Sequence, residues 1–425
     1  MIKFNQLLNN KLSFFESLTI LLFSLLPISV LLGNASINFN ILFIDVIFIF
    51  YCVKNKHWSW LNSQIFIHLI ILYSFLIINS FYSYFFLIEN ELEGITRSFL
   101  FIKFILLVFA FSALIKDDKI LNAIMKNWLL ISMIIILDIF YEKYFGQNIL
   151  GFESTDKQRI VSFFKDELVV GGYVLCFGYA AITFFLNKNL SKKSTYILLL
   201  IFLLIPITVF LTGERSNFIK SAILFLSVIF FTKEKGLFFN LKYLIIAFII
   251  LIASFVYFND NIKDRYALFF DRILVVEKSE NFYDKFKNIK YLAHFDTAFE
   301  IFKNYPISGV GNKNFRKECA KEIYLNRELQ FSPFRCSTHP HQIHFEILSE
   351  LGIIGYFLIM YFMIIFLIKN IQTFIKKNNF HHISNITYLA LFFVPLLPGS
   401  GIFSTFNGSL FWIIFSLCNL TYEKK

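Results

Sequence analysis

Three histidines stand close together late in the chain, in the run Cys336-Ser337-Thr338-His339-Pro340-His341-Gln342 and then at His344. Histidine titrates near neutrality, so it can take a proton from a hydroxyl at physiological pH. A long polar stretch precedes these residues. An apolar run to Leu351 follows, closed by Gly352-Ile353-Ile354-Gly355. The histidines thus lie where a water-exposed segment re-enters an apolar phase, a position suited to chemistry on a lipid-borne substrate.

A second set of groups is cationic. Arg215 lies in the turn Thr212-Gly213-Glu214-Arg215-Ser216, and Lys220 follows about 1.4 helical turns later. Arg159 stands in a polar loop, and Lys103 sits inside an apolar run. Charge in such places is expensive and needs a reason. Snorkelling to the interface suffices for Arg97 and is the alternative for Lys103. Arg215 is read as holding an anionic ligand, because an arginine fork matches phosphate oxygens in pairs. His341 is the candidate base, and His339, Gln342, Arg159, Lys220 and Lys103 are candidate substrate contacts.

The acids Asp138, Asp166, Glu167, Glu346 and Glu350 accompany these groups. A carboxylate beside a histidine orients it or raises its pKa. For Glu346, complementing a helix N-terminus is an equally good account. Asp45 reads as structural, paired with a polar neighbour. His339, His341 and His344 form H-x-H-x-x-H, but Pro340 breaks the register and no second ligand cluster stands out, so no metal is assigned. Walker A, D-x-D and G-x-S-x-G patterns are missing, and Gly309-x-Gly311 reads as a turn.

The elements that position these groups are membrane helices. The chain has 425 residues, 57% of them hydrophobic, with a mean hydropathy of +0.64. The 59 phenylalanines are read as codon bias rather than a stacking surface. The net charge of +11 is read as lysine at cytoplasmic helix ends, not as a nucleic-acid footprint. Apolar runs predict an all-α polytopic membrane protein with about twelve spans. They cover 17–33, 38–53, 63–85, 98–115, 127–142, 168–186, 194–211, 217–232, 241–258, 344–368, 384–398 and 404–421. The first run has no small-residue cleavage site and reads as a span rather than a signal peptide.

Alternate loops carry the lysines: Lys3 and Lys11; Lys54 and Lys56; Lys116, Lys119 and Lys126; Lys188, Lys192 and Lys193; Lys233, Lys235 and Lys242; Lys369, Lys376 and Lys377; Lys424 and Lys425. The intervening loop Glu89-Asn90-Glu91-Leu92-Glu93 is acidic. This alternation predicts cytoplasmic termini. It divides the chain into residues 1–258, with nine transmembrane helices and an outer loop at 143–167; residues 259–343, a large periplasmic loop or cap between the ninth and tenth helices; and residues 344–425, with the last three.

In the cap, Ile289, Leu292, Phe295, Phe299 and Phe302 recur at helical spacing. Pro306 and Gly309-Val310-Gly311-Asn312 end that helix. Cys319 and Cys336 share this loop on the oxidising side. A disulfide between them closes about 16 residues, for roughly 3 kcal/mol, and fixes the chain before His339. Cys52, Cys176 and Cys418 fall in or near spans.

These motifs resemble those of a known family. His341-Gln342, nine residues, then Gly352-x-x-Gly355 resembles the H-[N/S/Q]-x9-G-x-x-G signature of bacterial O-antigen ligases and related Wzy-type polymerases; Gln342 stands where asparagine is commoner. Thr212 through Ser216 resembles the family's T-G-x-R-[S/G] turn. Arg159 through Phe164 with Asp166-Glu167 and Gly171-Gly172, and Asn304 through Phe315, resemble two further segments. The likeness spans about residues 135–400.

The resemblance implies a metal-independent glycosyltransferase with no cofactor, using an undecaprenyl-diphosphate glycan donor at the periplasmic face of the inner membrane. The acceptor it implies is lipid A-core or a lipid-linked repeat. Ligase and polymerase share these motifs. A polysaccharide flippase is the alternative of a different class, but such proteins show repeats and midplane polar residues, whereas here charge gathers in the outer leaflet.

Overall fold

The computed structural model describes residues 13–87, 92–165, 167–188, 190–231, 238–274, 290–325, 335–395, 397–399 and 401–423, and all regular structure there is helical. Lys3, Lys11, Glu89, Asn90, Glu91, Asp166, Lys233, Lys235, Ile289, Lys424 and Lys425, named above, lie outside those residues, as does the side chain of Lys242.

Each apolar run overlaps a helix, although the run 384–398 extends beyond its helix, which ends at Phe392. In chain order these are α1 (Phe14–Leu31), α2 (Asn34–Asn55), α3 (Gln64–Phe86), α4 (Leu92–Leu114), α5 (Asp118–Phe145), α6 (Val170–Leu186), α7 (Lys192–Leu211), α8 (Arg215–Phe231) and α9 (Phe238–Phe258). The cap contributes α10 (Asp260–Leu274), α11 (Lys290–Asn304), α12 (Phe315–Glu318) and α13 (Glu322–Leu325). The chain ends with α14 (Ile343–Lys377), α15 (Phe380–Phe392) and α16 (Thr405–Glu423). Polar residues set their starts: Ser63 Oγ accepts from the Phe66 amide at 3.1 Å to open α3.

Among the described residues, seven helices are long and apolar enough to cross a membrane: α1, α2, α3, α4, α5, α7 and α14. The count is eight if α9 and the start of α10, bent by 105°, form one broken span. The helices α6, α8, α15 and α16 are shorter or less apolar by that measure. The reason for α6, α15 and α16 is their place at the centre of the bundle. Leu410 through Leu420 of α16 are buried all round, and Trp412 Nε1 donates to Ile402 O at 3.0 Å. A helix apolar on every face belongs in a core. It packs on α4, α2 and α15.

Outer helices instead show one apolar face to the surroundings. On α14 the exposed stripe is Phe357, Tyr361, Ile364, Ile368, Ile371 and Ile375. Those steps of three and four residues trace one side of a helix, and so large an exposed apolar face suits lipid rather than water.

The loop after α5 is held by acids. Glu142 accepts from the amides of Val161 (3.0 Å) and Ser162 (2.6 Å), and Asp138 accepts from the Ile149 amide (3.0 Å) and Ser162 Oγ. Asp138 is therefore a loop anchor.

The cap has its own small core of Ala298, Ile301, Val310, Phe315, Cys319 and Tyr324. Its helix α11 buries Ala293, His294, Phe295, Thr297, Ala298 and Ile301, while Phe299 is exposed. Of the apolar stripe at Leu292, Phe295, Phe299 and Phe302 only Phe295 is fully buried, because α11 packs against the N-terminal end of α14 through small side chains and the stacked pair Phe295–Phe345 (5.0 Å). Cys319 and Cys336 form a disulfide within this unit, with Cα atoms 5.1 Å apart.

A helix of 35 residues spans about 52 Å, well beyond a hydrocarbon core of ~30 Å. It is broken at Gly352, which has φ +62°. The break frees backbone groups that the Pro306–Gly311 stretch satisfies. Val310 and Gly311 donate to the carbonyls of Ser349 (3.0 Å) and Glu350 (2.8 Å), and Ile353 and Ile354 donate to those of Pro306 (2.9 Å) and Ile307 (3.3 Å). A Cβ on Gly309 would meet Glu350 C at 2.4 Å, and one on Gly352 would meet Ile307 O at 2.3 Å. The glycines of the two motifs therefore let backbone lie on backbone, and this joint seats the cap on α14.

Candidate functional site

His341 lies between Pro340 and the N-cap of α14 and adopts a left-handed backbone, φ +58°. Few non-glycine residues do so, and such strain gathers at functional sites. The Gly399 amide secures it, donating to His341 O at 2.7 Å. The imidazole rests in an aromatic cluster: its centroid is 4.2 Å from that of His339, 5.1 Å from His294 and 5.4 Å from Tyr291. Tyr291 and His294 lie one turn apart on α11, so the cap supplies one wall and the re-entry loop the other.

Behind His339 is a buried ion network. Lys313 Nζ pairs with Glu346 Oε1 at 2.6 Å, and Glu350 accepts from the Lys313 amide at 2.9 Å. Burial alone would lower the Lys313 pKa, but Glu346 and Glu350 outweigh it and hold the ammonium above its usual value. Burial likewise keeps His339 below its usual value, with Glu346 pulling the other way. His339 Nδ1 lies 3.0 Å from Thr338 Oγ1, while its buried Nε2 has no hydrogen-bond partner among the described residues. Lys313, like His341, is left-handed, φ +64°.

The other candidates of the re-entry loop divide by role. Gln342 caps α14, its Oε1 accepting from the amides of His344 (2.7 Å) and Phe345 (3.1 Å). His344 turns away, Nε2 toward Phe393 O (2.9 Å) and Nδ1 toward Tyr356 Oη (3.1 Å). The three histidines therefore do not converge, and no cluster of three metal-ligating side chains occurs among the described residues.

Around the turn between α7 and α8, the structure brings arginines together. Gly213, φ +72°, lies so close to the 158–159 stretch that a Cβ would meet Gln158 O at 2.4 Å. Arg159 Nη2 donates to Leu168 O at 2.9 Å and its charge acts on Glu214. Burial raises the Glu214 pKa, opposed by Arg159 and by the Gly171 amide, which donates to its carboxylate at 2.7 Å. From α10, Arg265 Nε donates to Gly213 O at 3.2 Å, and its Nη1 lies 3.4 Å from Asp156 Oδ2. Arg215 opens α8, and its charge acts on Tyr266 of α10, which flanks Arg265.

Tyr291 links the two groups. Its ring lies against His341, and its hydroxyl acts electrostatically on Arg265. Lys220 approaches from a third side: it is buried over the Phe392 ring (5.3 Å), and a Cβ on Gly399 would lie 3.1 Å from its Nζ. It thus neighbours the glycine that holds His341. Lys103 belongs elsewhere. It is buried on α4, donates to Asn38 Oδ1, and is the cation acting on Asp45, whose oxygens have no hydrogen-bond partner among the described residues.

Four contributors escaped sequence reasoning: Arg265, Tyr291, His294 and Lys313. Arg265 carried the signal that singled out Arg159, an arginine in a long loop on the side opposite the lysine-bearing loops. Tyr291 and His294 share a face three residues apart. Lys313 stands inside the glycine stretch, but nothing local marks it as the partner of Glu346.

No curated protein matches the chain. Residues 199–360 match the model of the O-antigen ligase family, a range that runs from α7 through the cap to the Gly352–Gly355 corner and holds Arg215, Lys220, Arg265, Lys313 and His341. By that match and the motifs within it, residues 199–360 of the chain are similar to the O-antigen ligase family.

Proposed function

We propose that the protein moves a glycan from undecaprenyl diphosphate to lipid A-core at the periplasmic face of the bacterial inner membrane. The observation that carries this reading is that the cap meets both groups, Tyr291 of α11 lying against His341 and Arg265 of α10 bonding to the turn that bears Arg215. Transfer of a sugar from a lipid diphosphate needs these two capabilities side by side. The acceptor hydroxyl oxygen attacks the anomeric carbon, and its proton passes to His341. The bond from that carbon to the phosphate oxygen breaks, and the electron pair leaves with the diphosphate.

Arg215, with Arg159 and Arg265, matches the charge that grows on the leaving phosphate. Lys220 and His339 line the approaches to His341. One displacement with one base inverts the anomeric centre. Gln342 serves this arrangement by capping α14 and so orienting the loop, and Lys103 by keeping the outer half of α4 in place. The chain's residues supply these roles without a metal or nucleotide. The lysine alternation supports cytoplasmic termini and a periplasmic site.

The test is reconstitution of purified protein with lipid-linked donor and candidate acceptors. Wild type is expected to transfer glycan to lipid A-core, and His341→Ala, at equal membrane levels, to lose transfer; wild-type activity in that variant would refute the base assignment. Deletion in cells decides the acceptor. Unmodified core with long lipid-linked glycan supports the ligase reading, whereas core bearing one repeat makes the protein a polymerase.

A further inference from the structure

At the far end of α14 from His341, a cavity of about 250 Å3 opens between the start of α3 and the last third of α14. From the break at Gly352 to Lys369 the chain runs 17 residues of unbroken helix, about 25 Å, close to the depth of a hydrocarbon core of ~30 Å. The cavity therefore belongs to the opposite membrane face from the candidate active site. Trp58 and Trp60 immediately precede α3 at this level, as aromatic residues do at a membrane–water boundary. Lys54 and Lys56 end α2 at the same level, and Lys376 and Lys377 end α14 there.

The lining has two halves. The polar half holds Lys369, His68 and Gln64; the apolar half holds Ile65, Phe362 and Ile365. Lys369 Nζ donates to the neutral amide oxygen of Gln64, and among the described residues no carboxylate lines the cavity. His68 is held by Gln64 O through Nδ1 at 2.6 Å, and its ring stacks on Phe362 at 5.7 Å, which leaves Nε2 as a further polar atom on the polar half. The apolar half continues into the lipid-facing stripe of Tyr361, Ile364 and Ile368.

A cation without a carboxylate, set at headgroup depth over an apolar wall that opens to lipid, matches one kind of molecule. It is an amphiphile with an anionic head and hydrocarbon tails. A zwitterionic headgroup brings its own cation beside its phosphate and so answers Lys369 less well, and a free phosphate leaves the apolar wall unused. We propose that this cavity binds an anionic phospholipid, its phosphate against Lys369 and His68 and its first methylenes along Ile65, Phe362 and Ile365. Such a lipid wedges α3 against α14 on one membrane face while the cap is seated on α14 at the other.

The experiment is native mass spectrometry of the full-length protein in micelles titrated with phosphatidylglycerol, phosphatidylcholine or inorganic phosphate. Phosphatidylglycerol is expected to be retained preferentially. Lys369→Gln is expected to weaken its retention about five-fold, the effect of one interfacial cation. Lys376→Gln removes the same charge outside the cavity and leaves retention unchanged. Ile365→Trp fills the apolar half and weakens retention with every charge in place; thermal melts identify any variant that fails to fold, and if Lys369→Gln fails, Ile365→Trp decides. Equal retention of the two lipids, or equal loss in Lys369→Gln and Lys376→Gln, overturns the proposal. Displacement of phosphatidylglycerol by inorganic phosphate at comparable concentration overturns the lipid assignment and leaves a phosphate site.

Discussion

His341 is held in a backbone conformation that costs a non-glycine residue about 1–3 kcal/mol, and the Gly399 amide secures its carbonyl. Such a residue is positioned by its surroundings rather than by its own preferences. The arginines differ from it in kind. Arg159 and Arg265 spend donors on the carbonyls of Leu168 and Gly213, which fixes their planes and leaves other guanidinium nitrogens for a ligand. Arg215→Lys keeps the charge but loses the fork. It is expected to lose most transfer activity, by ~10-fold or more, with normal folding; full activity in a donor-saturated assay would make Arg215 a packing residue.

Lys313 and Glu346 test burial instead. Removing one partner strands the other charge, so Lys313→Met is expected to destabilise by about 3–5 kcal/mol, and Lys313→Met with Glu346→Leu to recover much of that. Thermal unfolding of the single and double variants measures it; equal loss in both means the pair is not coupled.

At the scale of elements, the decisive object is the crossing of the 306–311 stretch over the break in α14. Four backbone hydrogen bonds join them, and each side contributes a left-handed glycine, Gly309 and Gly352. A Cβ at Gly352 would strain the backbone and collide with Ile307 O at 2.3 Å. Gly352→Ala is therefore expected to loosen the cap rather than unfold the spans. Hydrogen exchange should rise at 306–315 and stay unchanged in α16. Unchanged protection at 306–315 would show that the joint does not hold the cap. The disulfide between Cys319 and Cys336 braces the same unit from its other end.

For the whole molecule, a central group of α6, α15 and α16 is surrounded by helices with one lipid-facing stripe each. Short central helices need not match bilayer thickness, because their ends meet protein rather than lipid. The orientation of this bundle is open to a direct probe. Native Cys52, Cys176 and Cys418 are buried. A cysteine at exposed Thr338 should react with an impermeant maleimide in intact spheroplasts, and one at exposed Lys376 only after lysis. The reverse pattern would invert the topology and move His341 to the cytoplasm.

That the chain is helical with several long apolar helices, and that residues 199–360 carry O-antigen ligase motifs, was legible in the sequence. Apolar runs and turn residues are local properties, and local patterns survive without knowing the fold. The bent α9–α10 pair, the buried face of α11 and the partner of Glu346 were not, because they depend on which surfaces meet. Sequence alone placed Arg159, Arg215 and Arg265 in or beside the connections between apolar runs. Only tertiary structure decided which basic residues gather: Arg159, Arg215 and Arg265 surround one turn, Lys220 reaches the glycine under His341, and Lys103 stays with Asp45. The physical reason is that a charge's role is set by its neighbours within a few ångströms, and here those neighbours come from segments far apart in the chain.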